Sequence, residues 1–354
     1  MNTEIQQIEN LDSLRSLSLM EITLRDLIKF YKIRASEIEK ALSLRPDEWG
    51  RYQSEFNDEV NLVFRQIMNF AKINHLSNPA KVEKLKQIFT NRIRKIFLKG
   101  VYNAWSLKKP FGYAGDFKIV DDIYFNAPPT TGFERLFDNY FQMSAISVAV
   151  RNRKEDFKRF LINFINQKNN QSVRIMNLAS GPCREIHELF IPGILENKNV
   201  IFDCYDHDQN AIDYARKLLN YNPKVNFYKE NALRIAAARD INLYLDKKYD
   251  FIYSTGLFDY LNHKVSIRLV SNLKHLLKQG GILAVSDVRD KFSNPSVYYM
   301  EWVGDWNLIY NDDEEFRKVF IGVGFRNNQL KFKYEQQGIM QYVLAINNSQ
   351  DFFL

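Results

Sequence analysis

The 354-residue chain carries a formal net charge of +7, is 45% hydrophobic and contains two cysteines. That length and apolar content suffice for one catalytic domain plus an appended one, and two cysteines exclude a disulfide framework, so both are read as reduced thiols. No basic start runs into an apolar segment and no stretch of about 18 uncharged apolar residues occurs, which argues against secretion and membrane spanning and for a cytoplasmic protein.

The first 170 residues read as helices. Apolar residues recur three and four apart, as at Leu24, Leu27, Ile28 and Tyr31, and the pattern breaks at Pro46, Pro79, Pro110 and Pro128-Pro129. Residues 1–75 form an amphipathic section suited to docking or to homodimerisation. Residues 76–150 form a second helical section, expected to cover a substrate, and 151–354 a catalytic domain. Positive charge is concentrated between Lys81 and Lys109, opposed only by Glu83. Because Ile88, Phe89, Ile93, Ile96 and Phe97 make one apolar helix face, the basic residues read as its solvated side. An anionic substrate, a membrane surface and nucleic acid are the alternatives, nucleic acid being disfavoured because no recognised module accompanies the charge. Residues 110–116, Pro-Phe-Gly-Tyr-Ala-Gly-Asp, make a rigid turn presenting Tyr113 and Asp116. Physics alone leaves two readings open there: groups that close a site, or an aspartate capping the helix from Phe117 to Ile123.

The most informative stretch runs from Val173 to Glu185. An apolar strand enters a tight turn of small residues, Ala179-Ser180-Gly181-Pro182, and then a polar helix start. Small side chains let the backbone approach a ligand, and free N–H groups of the helix start face it, as in cradles for nucleotide-like cofactors. The spacing is not a dinucleotide fingerprint, since Ala179 and Cys183 stand where that motif has glycine. A second strand, Asn199–Tyr205, carries Asp206, His207 and Asp208 at its carboxyl end. An acid there can accept both ribose hydroxyls; Asp206 is preferred, and Asp208 suits a helix N-cap.

A third strand, Lys224–Glu230, ends at Asn231 and Ala232, placed to edge onto an adenine ring. A fourth, Tyr249–Tyr253, runs into Ser254, Thr255 and Gly256, expected as the floor near the reacting group. After a helix, Gly280-Gly281 turns into a fifth strand, Ile282–Asp287. Strands Asn328–Tyr334 and Met340–Asn347, joined by Glu-Gln-Gln-Gly, then make an antiparallel hairpin at the sheet edge. The predicted architecture is α/β: a Rossmann-like sheet of five parallel strands plus the hairpin, with a helical N-terminal region.

Metal chemistry is set aside, because the five histidines are scattered and no Cys-x-x-Cys or His-x-x-x-His pair exists. Ser180 sits outside a nucleophile elbow, which disfavours a serine hydrolase. Tyr298, Tyr299 and Trp302 recur at helical spacing, as core packing or as the wall of an acceptor pocket.

The order of glycine-containing first turn, acid after the second strand, polar residue after the third and terminal hairpin resembles the class I S-adenosylmethionine-dependent methyltransferases over residues 173–347. Asn177 departs from the usual acid of that turn, as Ala179 and Cys183 do from its glycines. Three strings, Lys-Pro-Phe-Gly-Tyr-Ala-Gly-Asp at 109–116, Gly-Leu-Phe-Asp-Tyr-Leu at 256–261 and Gly-Asp-Trp-Asn-Leu-Ile-Tyr at 304–310, are similar to bacterial methyltransferases of 3-hydroxypalmitic acid methyl ester synthesis. The resemblance implies S-adenosylmethionine as cofactor and a small-molecule methyl acceptor, among them the carboxylate of a hydroxy fatty acid. It tips Tyr113 and Asp116 toward a site role. Asp259 joins them as a candidate for holding or deprotonating the acceptor, and Phe258, Asp287, Tyr298 and Trp302 are candidates for contacting it. The alternatives are N-methylation of a small amine, a nucleic-acid methyltransferase, and a non-catalytic cofactor-binding protein.

Overall fold

In the computed structural model the described residues are 22–348, except 23, 27, 30, 169–170, 192 and 196–197. Residues 1–21 of the expected N-terminal section, and Leu27 of its apolar stripe, therefore lie outside them. The chain divides into two units, both discontinuous. One comprises the residues up to Gly115, Ala127–Ser144 and Pro295–Asn307; the other comprises Asp116–Asn126, Ala145–Asn294 and the residues from Leu308 onward.

The first unit is helical. Gly50–Asn74 buries Phe56, Val60, Phe64 and Ile67, a spacing of three and four that lines one face. Pro79–Arg92 opens on a proline at its first turn, where the missing N–H costs nothing. It buries Leu85 and Phe89 while Lys84 and Arg92 stay exposed, so that basic stretch is the outer side of a packed helix. The unit's interior is aromatic: Phe56 meets Phe137 edge-on at 4.8 Å, and Tyr140 meets Tyr299 at 4.9 Å. Tyr299 resolves its polar end by donating to Asn103 Oδ1 at 2.9 Å.

The second unit holds one seven-stranded sheet: β1 (Val173–Leu178), β2 (Val200–Asp206), β3 (Val225–Lys229), β4 (Tyr249–Ser254), β5 (Leu277–Val288), β6 (Leu330–Tyr334) and β7 (Met340–Ile346), in the order β3-β2-β1-β4-β5-β7-β6. The first five strands pair in parallel, and β7 runs antiparallel between β5 and β6. The reversal of direction in strand order falls beside β1, so the carboxyl ends of β1 and β4 splay apart there and leave the crevice in which doubly wound sheets bind ligands. Strand sequences are nearly continuous apolar runs because helices cover both faces of a parallel sheet.

One expected boundary is corrected. Gly280-Gly281 does not turn into the fifth strand but lies inside it, as a bulge: Tyr249 pairs with Leu277, whereas Phe251 pairs with Ile282. Glycine is required because Gly280 has φ +74° and a Cβ on Gly281 would meet Lys278 O at 3.0 Å and Tyr249 O at 3.1 Å. Among the described residues no helix is long and apolar enough to cross a membrane.

Candidate cofactor and acceptor site

Three residues of the bend after β1 adopt left-handed backbone: Ala179 (φ 54°), Gly181 (φ 53°) and Cys183 (φ 54°). For the two that are not glycine this costs about 1–2 kcal/mol each, so the surroundings must hold the bend. They do so from three sides. Ser180 N–H donates to Tyr205 O on β2 at 3.1 Å, Ser254 Oγ donates to Leu178 O at 2.8 Å, and Gly181 N–H donates to Asp206 Oδ2 at 2.8 Å. Below the bend, Asn177 Nδ2 and Tyr253 OH both donate to Glu185 Oε1, at 3.0 and 2.8 Å. Burial raises the Glu185 carboxyl above its ordinary value. Cys183 sends its thiol inward, fully buried beside Cys204, where burial first and the second thiol next push it up. The outer face of the bend is thereby left to backbone.

That face fits a cofactor. A Cβ built on Gly181 would meet nothing within 4 Å, and the buried hydroxyl of Ser180 has no hydrogen-bond partner. Asp206, 4% exposed, ends β2 with Oδ2 on Gly181 N–H and Oδ1 accepting from Asp208 N–H at 2.9 Å. His207 Nδ1 lies 3.4 Å from Asp206 Oδ1, and this contact raises its pKa. Asp208 caps the helix Gln209–Leu218 through Asn210 N–H at 2.8 Å. The two acids thus divide as their positions suggest: one faces the bend, the other ends a helix.

Asn231 caps Ala232–Ala237, its Oδ1 accepting from Leu233 N–H, which leaves the amide nitrogen as the donor it can offer. The Ala232 side chain belongs to the hydrophobic core. Ser254 is fully buried with its hydroxyl committed to Leu178, and Thr255 O accepts from Ser286 Oγ at 2.5 Å. Gly256 packs on a guanidinium, Arg153: a Cβ there would meet Nη2 at 3.5 Å.

Beyond β4, Asp259 is 4% exposed, its Oδ1 accepting from Val288 N–H at 2.9 Å and its Oδ2 lying 3.7 Å from Arg153 Nη1. Asp287, fully buried on β5, accepts from Asn311 Nδ2 at 2.8 Å, and burial together with Asp259 pushes its carboxyl well above the usual range. Phe258 is 1% exposed and packs on Phe316, so its side chain is core. Asp116 takes the capping role: Oδ1 accepts from Lys118 N–H at 3.0 Å and Ile119 N–H at 2.9 Å. Tyr113, half-buried, belongs to the first unit, as do Tyr298 and Trp302. There Trp302 packs on Tyr298 at 5.2 Å and Phe89 at 5.6 Å.

Two features escaped the sequence. Arg153 is a buried charge inside a long helix, Ala145–Gln167, and its neighbours Arg151 and Lys154 hid it in a basic run. Arg184, at the helix start after the bend, forms a two-pronged pair with Asp121 at 2.8 and 2.6 Å, and Tyr214 OH donates to the same carboxylate. The only sequence signal was an acid buried on the apolar side of the helix Phe117–Phe125.

Residues 174–298, which take in the five parallel strands, match the family model described as Tellurite resistance protein TehB. No protein of curated function matches the sequence significantly. Among solved structures, one described as a possible exported protein from Bordetella parapertussis aligns with TM-score 0.54 and 16% identity, covering 66% of this chain and 80% of that one. Magnesium protoporphyrin IX methyltransferase from Synechocystis with bound S-adenosylmethionine aligns at 0.40 and 12%, covering 57% and 84%. The N-methyltransferase NodS from Bradyrhizobium japonicum aligns at 0.37 and 11%, covering 56% and 97%. The family match thus spans the parallel part of the sheet, and the likeness at TM-score 0.54 is one of fold.

Proposed function

We propose that the chain transfers a methyl group from S-adenosylmethionine to a small-molecule acceptor in the crevice at the carboxyl ends of β1, β2 and β4. The observation that carries this reading is the Asp206 carboxylate, fixed by Gly181 and Asp208 N–H groups beside a left-handed bend with open space above it. In this reading Ala179, Ser180, Gly181 and Pro182 face the amino-acid end of the cofactor and Asp206 accepts the ribose hydroxyls, with His207 at its side. The Asn231 amide and the Ala232 main chain meet the adenine edge, and Ser254, Thr255 and Gly256 form the floor.

Bound there, the cofactor supplies an electrophilic methyl on a sulfonium; the acceptor bond forms as the C–S bond breaks, with the electron pair staying on sulfur. The protein's part is alignment and exclusion of water. A carboxylate acceptor, such as that of a hydroxy fatty acid, is already ionised near neutral pH and needs no base. An amine acceptor must lose a proton, and burial raises the carboxyls of Asp259 and Asp287, the direction that makes a carboxylate the stronger base.

Calorimetric titration with S-adenosylhomocysteine tests the reading. Wild-type protein is expected to bind, and Asp206→Ala to lose about 100-fold in affinity, the worth of two hydrogen bonds to a charged acceptor. Equal affinity in the variant would remove the proposal's support.

A further inference from the structure

Arg153 is 5% exposed, yet its charge is incompletely matched. The nearest carboxylate oxygen, Asp259 Oδ2, is 3.7 Å from Nη1, well beyond the 2.7–2.9 Å of a charge-assisted hydrogen bond. Asp259 is also tied by its other oxygen to Val288 N–H. Tyr124, the second neighbour, has its phenol pushed up to about 12 by burial and stays neutral near pH 7. The guanidinium Nε has no hydrogen-bond partner. Two other arginines of this unit are matched closely: Arg184 meets Asp121 at 2.6 Å and Arg174 meets Asp203 at 2.7 Å.

Desolvating a guanidinium is costly unless an anion compensates. Arg153 keeps its charge against the effect of burial: Tyr124 is hydrogen-bonded to it, and the Asp259 carboxyl faces it. Its Nη atoms lie against Gly256, two residues after β4, which sets no side chain against them.

Resting on the methyltransferase reading above, we propose that Arg153 is the anchor for a ligand carboxylate, gripped by the guanidinium fork beside Gly256. A carboxylate is the fitting anion because a planar fork meets it with two parallel hydrogen bonds. Two ligands of the site can bring one: the amino-acid end of the cofactor, whose only anionic group is a carboxylate, and an acid acceptor.

Calorimetry on the full chain separates them, using S-adenosylhomocysteine, its decarboxylated analogue, and then decanoate against decylamine on protein saturated with S-adenosylhomocysteine. If the cofactor is the source, wild-type protein binds S-adenosylhomocysteine about tenfold or more tightly than the analogue, and Arg153→Lys loses that margin without weakening the analogue. If the acceptor is the source, the two nucleosides bind alike, saturated protein takes decanoate and not decylamine, and Arg153→Lys takes neither. The wild-type comparisons need no variant, so a poorly folding Arg153→Lys does not shield the idea. The proposal is overturned if wild-type protein distinguishes neither the nucleosides nor the two alkyl ligands, or if Arg153→Lys weakens both nucleosides equally. Wild-type protein that binds no nucleoside at all instead overturns the methyltransferase reading, and the anchor with it.

Discussion

The main-chain N–H of Gly181 donates to Asp206 Oδ2 at 2.8 Å, joining the bend after β1 to the tip of β2. Asp206, 4% exposed, also accepts from Asp208 N–H, so bend and acid hold one another in place.

Because Ala179 is held at φ 54°, Ala179→Gly relieves about 1–2 kcal/mol of left-handed strain and gives back about 0.5–1 kcal/mol in unfolded-chain entropy. Stability is therefore expected to be unchanged or higher by up to about 1.5 kcal/mol, as read by urea denaturation. A loss beyond about 1 kcal/mol would mean that the alanine methyl, not the backbone, secures the bend.

His207 is raised by its contact with Asp206, so the folded state binds the imidazole proton more tightly than the unfolded chain does. Its stabilising contribution is present below the unfolded value of about 6.5 and is lost as pH rises through the folded value. Proton NMR is expected to give His207 a midpoint above that of a free histidine, and Asp206→Asn to bring it down. An unmoved midpoint in the variant would separate the two residues.

Asp287 moves the opposite way from a salt-bridged acid: burial, then Asp259, raises it, so the folded protein holds a proton that the unfolded chain releases above about pH 4. Stability accordingly falls as pH climbs from there through the raised folded value. Replacing the acid by its neutral isostere, Asp287→Asn, should flatten that fall, so the gain over wild type in melting temperature grows as pH rises above about 4. A gain that is constant across the range contradicts the assignment.

Asp121 anchors Arg184 with two bonds and accepts from Tyr214. Asp121→Asn strips the charge from a pair of which the acid is 4% and the arginine 16% exposed, and about 2–4 kcal/mol of stability should go with it. Thermal unfolding reads this directly. A cost under about 0.5 kcal/mol, the scale of a surface pair, would show that solvent screens the contact.

The sheet was legible because its strands are short apolar runs bounded by turn residues, and the acid after the second strand because Asp206 ends such a run. Capping geometry was legible at Asp208, which sits one residue before a helix start and caps it; Asp116, which the resemblance tipped toward a site role, caps its helix too. The glycine pair at 280–281 misled because a bulge and a turn need the same residue; only the partner strand tells them apart. Phe258, which the resemblance made a candidate for touching the acceptor, lies in the short turn Phe258–Tyr260 and packs on Phe316 instead. Arg153 was illegible for a different reason. One charge in a basic run acquires meaning only from what its helix is packed against, and that is a long-range property.

A crystal structure of the full chain with S-adenosylhomocysteine tests the central claim most directly. The account predicts both ribose hydroxyls within hydrogen-bond distance of Asp206, the adenine edge at Asn231 and the amino-acid end along residues 179–182. A nucleoside bound away from β2, or a ribose held by Asp208 with Asp206 still locked on Gly181 alone, would contradict it.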